Sequence, residues 1–175
     1  MTPLERGYVQ LYTGDGKGKT TAALGLVLRA LGQDLRPAVL QFMKGDPNWG
    51  EIVSLTRLGV PVHQCGLDHW VRAGKVSAED RAAAAAGFDR GRALVESEDY
   101  DLVVLDELVT AVFFELVPLS SVLELIAAKP AVVELVITGR RAPDELVAAA
   151  DLATEMRPLK HYFDVGVQAR PGIEY

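Results

Sequence analysis

The sequence predicts an α/β fold: one domain over residues 1–175, with a mostly parallel central sheet covered by helices on both faces. Three observations carry this. Short runs rich in Val, Leu and Ile alternate with helical stretches along the chain. Runs such as 36–42, 100–105 and 131–138 are apolar almost without a break, which suits strands covered on both sides. Residues 8–21, Tyr-Val-Gln-Leu-Tyr-Thr-Gly-Asp-Gly-Lys-Gly-Lys-Thr-Thr, read as a strand, a glycine-rich turn and the start of a helix.

In order along the chain, Val9 and Leu11 mark the first strand, and Ala22 to Leu28 a helix that Gly32 ends. Residues 36–42 form the second strand, and Gly45, Pro47, Asn48 and Gly50 break the loop after it. A short helix over 51–58 stops at Gly59. A weaker strand over 60–65 carries Pro61, which cannot donate to a ladder and so moves it toward a sheet edge. Residues 66–74 mix polar and aromatic side chains without a period and read as a functional loop. Ser77, with Asp80 three residues on, caps the longest helix, which runs to about Ser97 through five consecutive alanines. The strand over 100–107 ends in two carboxylates. Helices over 108–116 and 118–128, a strand over 131–138, a helix over 143–150 and a last strand over 152–158 follow. The tail, 160–175, has Gly166, Pro171 and Gly172 and reads as irregular.

Strand, glycine turn and helix beginning with Lys19-Thr20 is the context of a phosphate-binding loop, so the fold expected is P-loop NTPase-like, of the RecA-like kind. Backbone N–H groups converging on a concavity bind anions, and a helix N-terminus adds the positive end of its dipole. Gly14, Gly16 and Gly18 leave room for the phosphates, with Asp15 and Lys17 between them and Thr21 closing the stretch. Lys19 supplies charge, and the Thr20 hydroxyl is placed for a magnesium ion shared with the phosphates. Thr13 stands where the general pattern has its first glycine. Asp106-Glu107 closes an apolar strand, and ligands of parallel sheets gather at strand carboxyl ends, where such acids hold a metal directly or through water.

The formal net charge of −6 argues against a broad nucleic-acid or anionic-membrane surface. A single cysteine, Cys65, excludes an internal disulfide and an all-cysteine metal site. With no signal-like opening and no apolar run of about 18 residues, the expectation is a soluble cytoplasmic protein.

Thr13–Thr21, Gln41-Phe-Met-Lys-Gly45, Gly50-Glu51, Leu105-Asp-Glu-Leu108, Ile137-Thr-Gly-Arg140, Arg157-Pro-Leu-Lys-His161 and the ending Phe163-Asp-Val-Gly-Val … Gly172-Ile-Glu-Tyr175 occur in that order. Together they resemble the phosphate-loop ATP:corrinoid adenosyltransferases, from about Gly7 to Tyr175, and the Thr at the loop's first position is similar to that family's own variant. The resemblance implies that a cobalt(I) corrinoid attacks the ribose 5′ carbon of ATP and expels triphosphate, in adenosylcobalamin biosynthesis or salvage. It implies a nucleotide lying reversed in the loop, and a magnesium (or manganese) ion whose ligands carry over onto Thr20 and Glu107, with Asp106 beside them. It also implies a low-potential electron donor such as a flavodoxin or a flavin reductant, and a homodimer. Trp70 matches the family's tryptophan under the corrin, whereas the phenylalanine before it has no counterpart in Gly66-Leu67-Asp68-His69.

The catalytic set expected is therefore Lys19, Thr20 and Glu107. Gly14 to Thr21, Trp70 and Arg140 bind ATP or corrinoid, and Lys17 adds charge beside the triphosphate. His63 and Cys65 read as packed side chains, and Phe113-Phe114 equally as core, interface or cofactor contact. Two rival readings share the loop: a small-molecule kinase or NTPase, and a nucleotide-dependent corrinoid-binding protein without turnover.

Overall fold

A computed structural model describes residues 4–67, 69, 71 and 76–175. Among them the elements run β1 (Val9–Thr13), α1 (Lys19–Leu31), β2 (Pro37–Phe42), α2 (Gly50–Arg57), β3 (Val62–Cys65), α3 (Ala78–Glu96) and β4 (Leu102–Asp106). Then come α4 (Leu108–Phe113), α5 (Leu119–Ala128), β5 (Glu134–Thr138), α6 (Asp144–Ala149), β6 (Leu152–Glu155) and a 3-10 turn at Tyr162–Val165. The six strands form one sheet in the order β3-β2-β4-β5-β1-β6, and every neighbouring pair is parallel.

Burial follows the apolar runs. Each residue of β2 and β4 is buried, and alternate side chains of β4 enter opposite layers. Val103 and Leu105 pack with Leu40, Leu135, Ile137 and the α3–α5 side of the sheet. Leu102 and Val104 pack with Val39, Val136, Ala23 and Val27 of α1, and Leu55 of α2. This two-sided burial is what the unbroken apolar strands require. β3 takes the edge position implied by Pro61, whose carbonyl accepts from Val39 N–H at 2.9 Å. At the other edge β6 is exposed along its whole length.

The longest helix starts as its sequence directs. Asp80 N–H donates to Ser77 Oγ at 3.0 Å and Ser77 N–H to Asp80 Oδ2 at 2.9 Å, a reciprocal capping box. Several expectations shift in extent: β5 starts at Glu134 rather than 131, and β6 stops at Glu155 rather than 158. α4 ends at Phe113 rather than 116, because Glu115 turns to a positive φ of 56° and Leu116 N–H donates back to the Ala111 carbonyl. The tail is more ordered than its glycines suggest: Glu174 accepts from Arg170 N–H at 2.7 Å and from the Tyr162 hydroxyl. Of the functional loop expected over 66–74, Trp70 lies outside the described residues. No described helix is long and apolar enough to cross a membrane.

Candidate active site

The carboxyl ends of β1, β2, β4 and β5 converge, and the loops that leave them build one site. After β1 the chain turns through Gly14 (φ +95°) and Gly18 (φ +116°), conformations that a side chain resists, and α1 begins at once with Lys19. A Cβ on Gly16 would stand 2.7 Å from the Met156 carbonyl oxygen, which accepts from Gly16 N–H at that same distance of 2.7 Å. The loop is thus braced against the segment following β6. Thr13, in place of the pattern's first glycine, ends β1 outside the positive-φ region, and its Oγ1 accepts from Ala142 N–H at 3.2 Å. Its hydroxyl ties the loop to the chain after β5.

The N-terminus of α1 has no side-chain cap, so its first N–H groups remain available to an anion. Lys19 folds over the loop and donates to the carbonyls of Gly14 at 2.7 Å and Gly16 at 2.8 Å. Burial pushes its ammonium below the ordinary lysine value, against the pull of Glu107, Asp15 and Asp106.

Beneath the loop lies Asp106, fully buried at the end of β4. Its Oδ1 accepts from Thr20 Oγ1 at 2.8 Å and Thr138 Oγ1 at 2.7 Å; its Oδ2 accepts from Gln41 Nε2 at 3.1 Å and Lys44 Nζ at 2.9 Å. Four donors around one carboxylate satisfy a buried charge that would otherwise be costly. Burial alone would push Lys44 down, but Asp106 and Glu51 outweigh it and hold its ammonium above the ordinary value.

Glu107 follows in the left-handed region, φ 60°, a conformation that a non-glycine residue adopts only when neighbours enforce it. Its N–H donates to Thr138 Oγ1 at 3.0 Å, and its Oε2 accepts from the Thr110 hydroxyl. Thr110 Oγ1 also accepts from Arg140 N–H at 3.0 Å, which joins the chain ends after β4 and β5.

These groups surround a cleft of about 600 Å³. Gly16 to Thr21, Glu107 and Arg140 line it, together with Lys44, Glu51, Ser54, His161 and Gly172 to Tyr175. Gly14 and Asp15 instead border a separate hollow on the loop's far side, with Arg141 and Asp144. Asp106 has no exposed surface and reaches the cleft only through Thr20 and Lys44. Lys17 turns to the tail, donating to the Ile173 carbonyl at 3.1 Å and lying 3.6 Å from Glu174. Arg170 and Tyr162 hold the Glu174 carboxyl down to about 2. Phe113 stacks edge-on with Phe114 and takes the Arg141 guanidinium at 4.6 Å from its ring centroid, away from the cleft.

Sequence reasoning gave no role to Lys44, Gln41, Glu51, Thr110, Thr138 or the tail. The stretches Gln41–Gly45, Gly50-Glu51 and Gly172–Tyr175 were signals, but each needs its distant partners to acquire a meaning. Beside the cleft, and sharing Lys44 and Tyr175 with it, is a second pocket of about 350 Å³ bordered by Met43, Trp49, Leu67 and His69.

A parallel sheet with a glycine loop, a buried Asp and a half-buried Glu at its carboxyl edge defines the phosphate-loop class of α/β proteins. Residues 5–175 match the family described as ATP:corrinoid adenosyltransferase BtuR/CobO/CobP, and the chain belongs to it. It is 38% identical over 172 residues to corrinoid adenosyltransferase CobA of Salmonella typhimurium, covering 98% of this chain and 87% of that protein. The corrinoid adenosyltransferase of Pseudomonas aeruginosa is 38% identical over 173 residues, covering 98% and 85%, and that of a Sinorhizobium species 30% over 182 residues, covering 98% and 81%. The chain is an enzyme of the corrinoid adenosyltransferase class.

Proposed function

We propose that the enzyme joins the 5′-deoxyadenosyl group of ATP to the cobalt(I) of a corrinoid and releases triphosphate, in adenosylcobalamin biosynthesis or salvage. The observation that carries this reading is the charge of the cleft. Among the described residues Lys17, Lys19, Lys44 and Arg140 line it with Glu51, Glu107 and Glu174, and the cations gathered beside the phosphate loop suit a leaving group with several negative charges. The cobalt(I) corrinoid, a substrate, supplies the electron pair of the new cobalt–carbon bond; the C5′–O bond breaks and its pair leaves with the triphosphate. Because the nucleophile comes with the substrate, the protein's work is to bind, orient and stabilise charge. Lys19 and the α1 N-terminus hold phosphate oxygens, Arg140 adds charge across the cleft, and Glu107 stands opposite the loop.

Magnesium fits these residues. The Thr20 hydroxyl and the Glu107 carboxylate are hard oxygen donors on the cleft, and among the described residues no set of three or more His, Cys, Asp or Glu forms a cage of its own. Magnesium suits such a partial set, since it keeps waters and takes phosphate oxygens as its other ligands. We assign Thr20 and Glu107 as its protein ligands, with Asp106 orienting Thr20; when bound, the ion draws negative charge from the leaving phosphates. Trp70 is assigned to the corrinoid on its match to the family's tryptophan. The remaining parts of the proposal are a single domain over 1–175, a cytoplasmic homodimer, and a low-potential flavodoxin or flavin donor.

The phosphorus products test the reaction. Incubated anaerobically with ATP, magnesium and cobalt(I) corrinoid, the enzyme should yield free triphosphate and a light-sensitive alkyl-corrinoid in equal amounts. ADP formed without triphosphate would mean phosphoryl transfer and would overturn the assignment.

A further inference from the structure

Lys44 enters this chemistry only as one of the cleft's cations, yet the chain is bent to place it. Met43, just after β2, adopts a positive φ of 58°, and its N–H donates to the Cys65 carbonyl at 3.1 Å. Gly66 packs so closely on this corner that a Cβ there would stand 2.3 Å from Lys44 N. The backbone is therefore clamped between the ends of β2 and β3, and the side chain runs inward with 13% of its surface exposed. Its ammonium lies 2.9 Å from Asp106 Oδ2, 3.6 Å from Glu51 Oε1 and 5.3 Å from the centroid of the Trp49 ring. It also lines both the phosphate cleft and the neighbouring pocket.

We infer that Lys44 is a positioning residue that acts through Asp106: it neutralises the buried carboxylate beneath the phosphate loop, so that the cleft accepts a triphosphate chain even without a divalent cation. The inference rests on the reading that the cleft binds a triphosphate. With Lys44 in place, Asp106 presents no uncompensated charge to an anion above it. Without that ammonium, an anion meets the fields of both Asp106 and Glu107, and the first of these acts from the buried interior, where Coulomb interactions are strong. A divalent cation accompanying the phosphates offsets those fields; its absence leaves them in full. Loss of the Lys44 charge should therefore weaken metal-free binding far more than metal-supported binding. A purely packing role would weaken both alike.

The test is equilibrium binding of inorganic triphosphate, by calorimetry at fixed ionic strength, with excess EDTA or with magnesium. Lys44→Gln removes the charge while keeping an amide that can donate to Asp106, so the fold is spared a bare buried carboxylate; Lys44→Arg keeps the charge. In Lys44→Gln the ratio of the EDTA Kd to the magnesium Kd should widen by about tenfold or more over the wild-type ratio. In Lys44→Arg it should stay within about threefold of wild type. An unchanged ratio in Lys44→Gln, with both affinities lowered equally or neither lowered, overturns the inference. If the wild-type enzyme binds triphosphate in neither condition, the triphosphate reading of the cleft falls first, and this inference with it.

Discussion

At the scale of single residues, the site divides its charges by depth. Asp106 is buried and saturated by four donors, whereas Glu107, one residue later, turns onto the cleft because its backbone is held at φ 60°. The two neighbouring acids therefore have different duties. Glu107→Ala should shift the magnesium titration of activity to higher concentrations, and an unchanged titration would remove it from the metal. Lys19 donates to two loop carbonyls, and in the proposed reaction it meets the leaving group in ground and transition states. Lys19→Ala should lower kcat/KM for ATP by roughly 10²-fold or more, as read from initial rates. For Trp70 the comparison is between reductants. Trp70→Ala should impair turnover of cobalt(II) corrinoid supplied through a protein reductant far more than turnover of chemically pre-reduced cobalt(I). Equal losses would indicate ordinary packing.

At the scale of elements, the legibility of the sequence followed the range of the forces involved. The phosphate loop lies in one contiguous stretch, so 13 to 21 could be read directly; the β4 and β5 strands announced themselves by unbroken apolar runs, and α3 by Ser77 and Asp80. The bonds around Asp106 join residues 86, 65, 62 and 32 positions apart, and no local pattern encodes which of them meet. Lys44 and Thr138 were missed for that reason, as was the tie between Lys17 and a tail 156 residues away. Another long-range tie sets the start of β2 against β4. Arg36 N–H and guanidinium donate to Asp101 at 2.8 to 3.1 Å and hold its carboxyl below the ordinary value of 3.8. A carboxyl depressed in the folded state stabilises fully above its unfolded value and loses that contribution as pH falls through the lowered one. Asp101→Asn should therefore cost stability at pH 7, and the cost should shrink as urea midpoints are measured down to pH 3. A difference that stays constant with pH would sever the tie from the titration.

At the scale of the whole molecule, the site belongs to no single element. Its walls are the chain ends after β1, β2, β4 and β5, with the tail segment Gly172–Tyr175 closing one side. A ligand that spans them is held only when the sheet is intact, so nucleotide binding and folding must be linked. Ligand at about a hundred times its Kd adds roughly 2.7 kcal/mol to the folded state when the unfolded chain does not bind. For a protein of this size that corresponds to a rise in Tm of several degrees, about 2–4 °C for each kcal/mol. MgATP should therefore raise the wild-type midpoint by several degrees, and the rise should grow with the logarithm of its concentration. With phosphate binding centred on Lys19, as proposed, the Lys19→Ala variant should lose most of that rise, measured against its own ligand-free midpoint. Adenosine, which has no phosphates, should produce little shift in either protein. A variant that kept the full rise with MgATP, or a wild type that responded equally to adenosine, would place the nucleotide's main hold outside the phosphate loop.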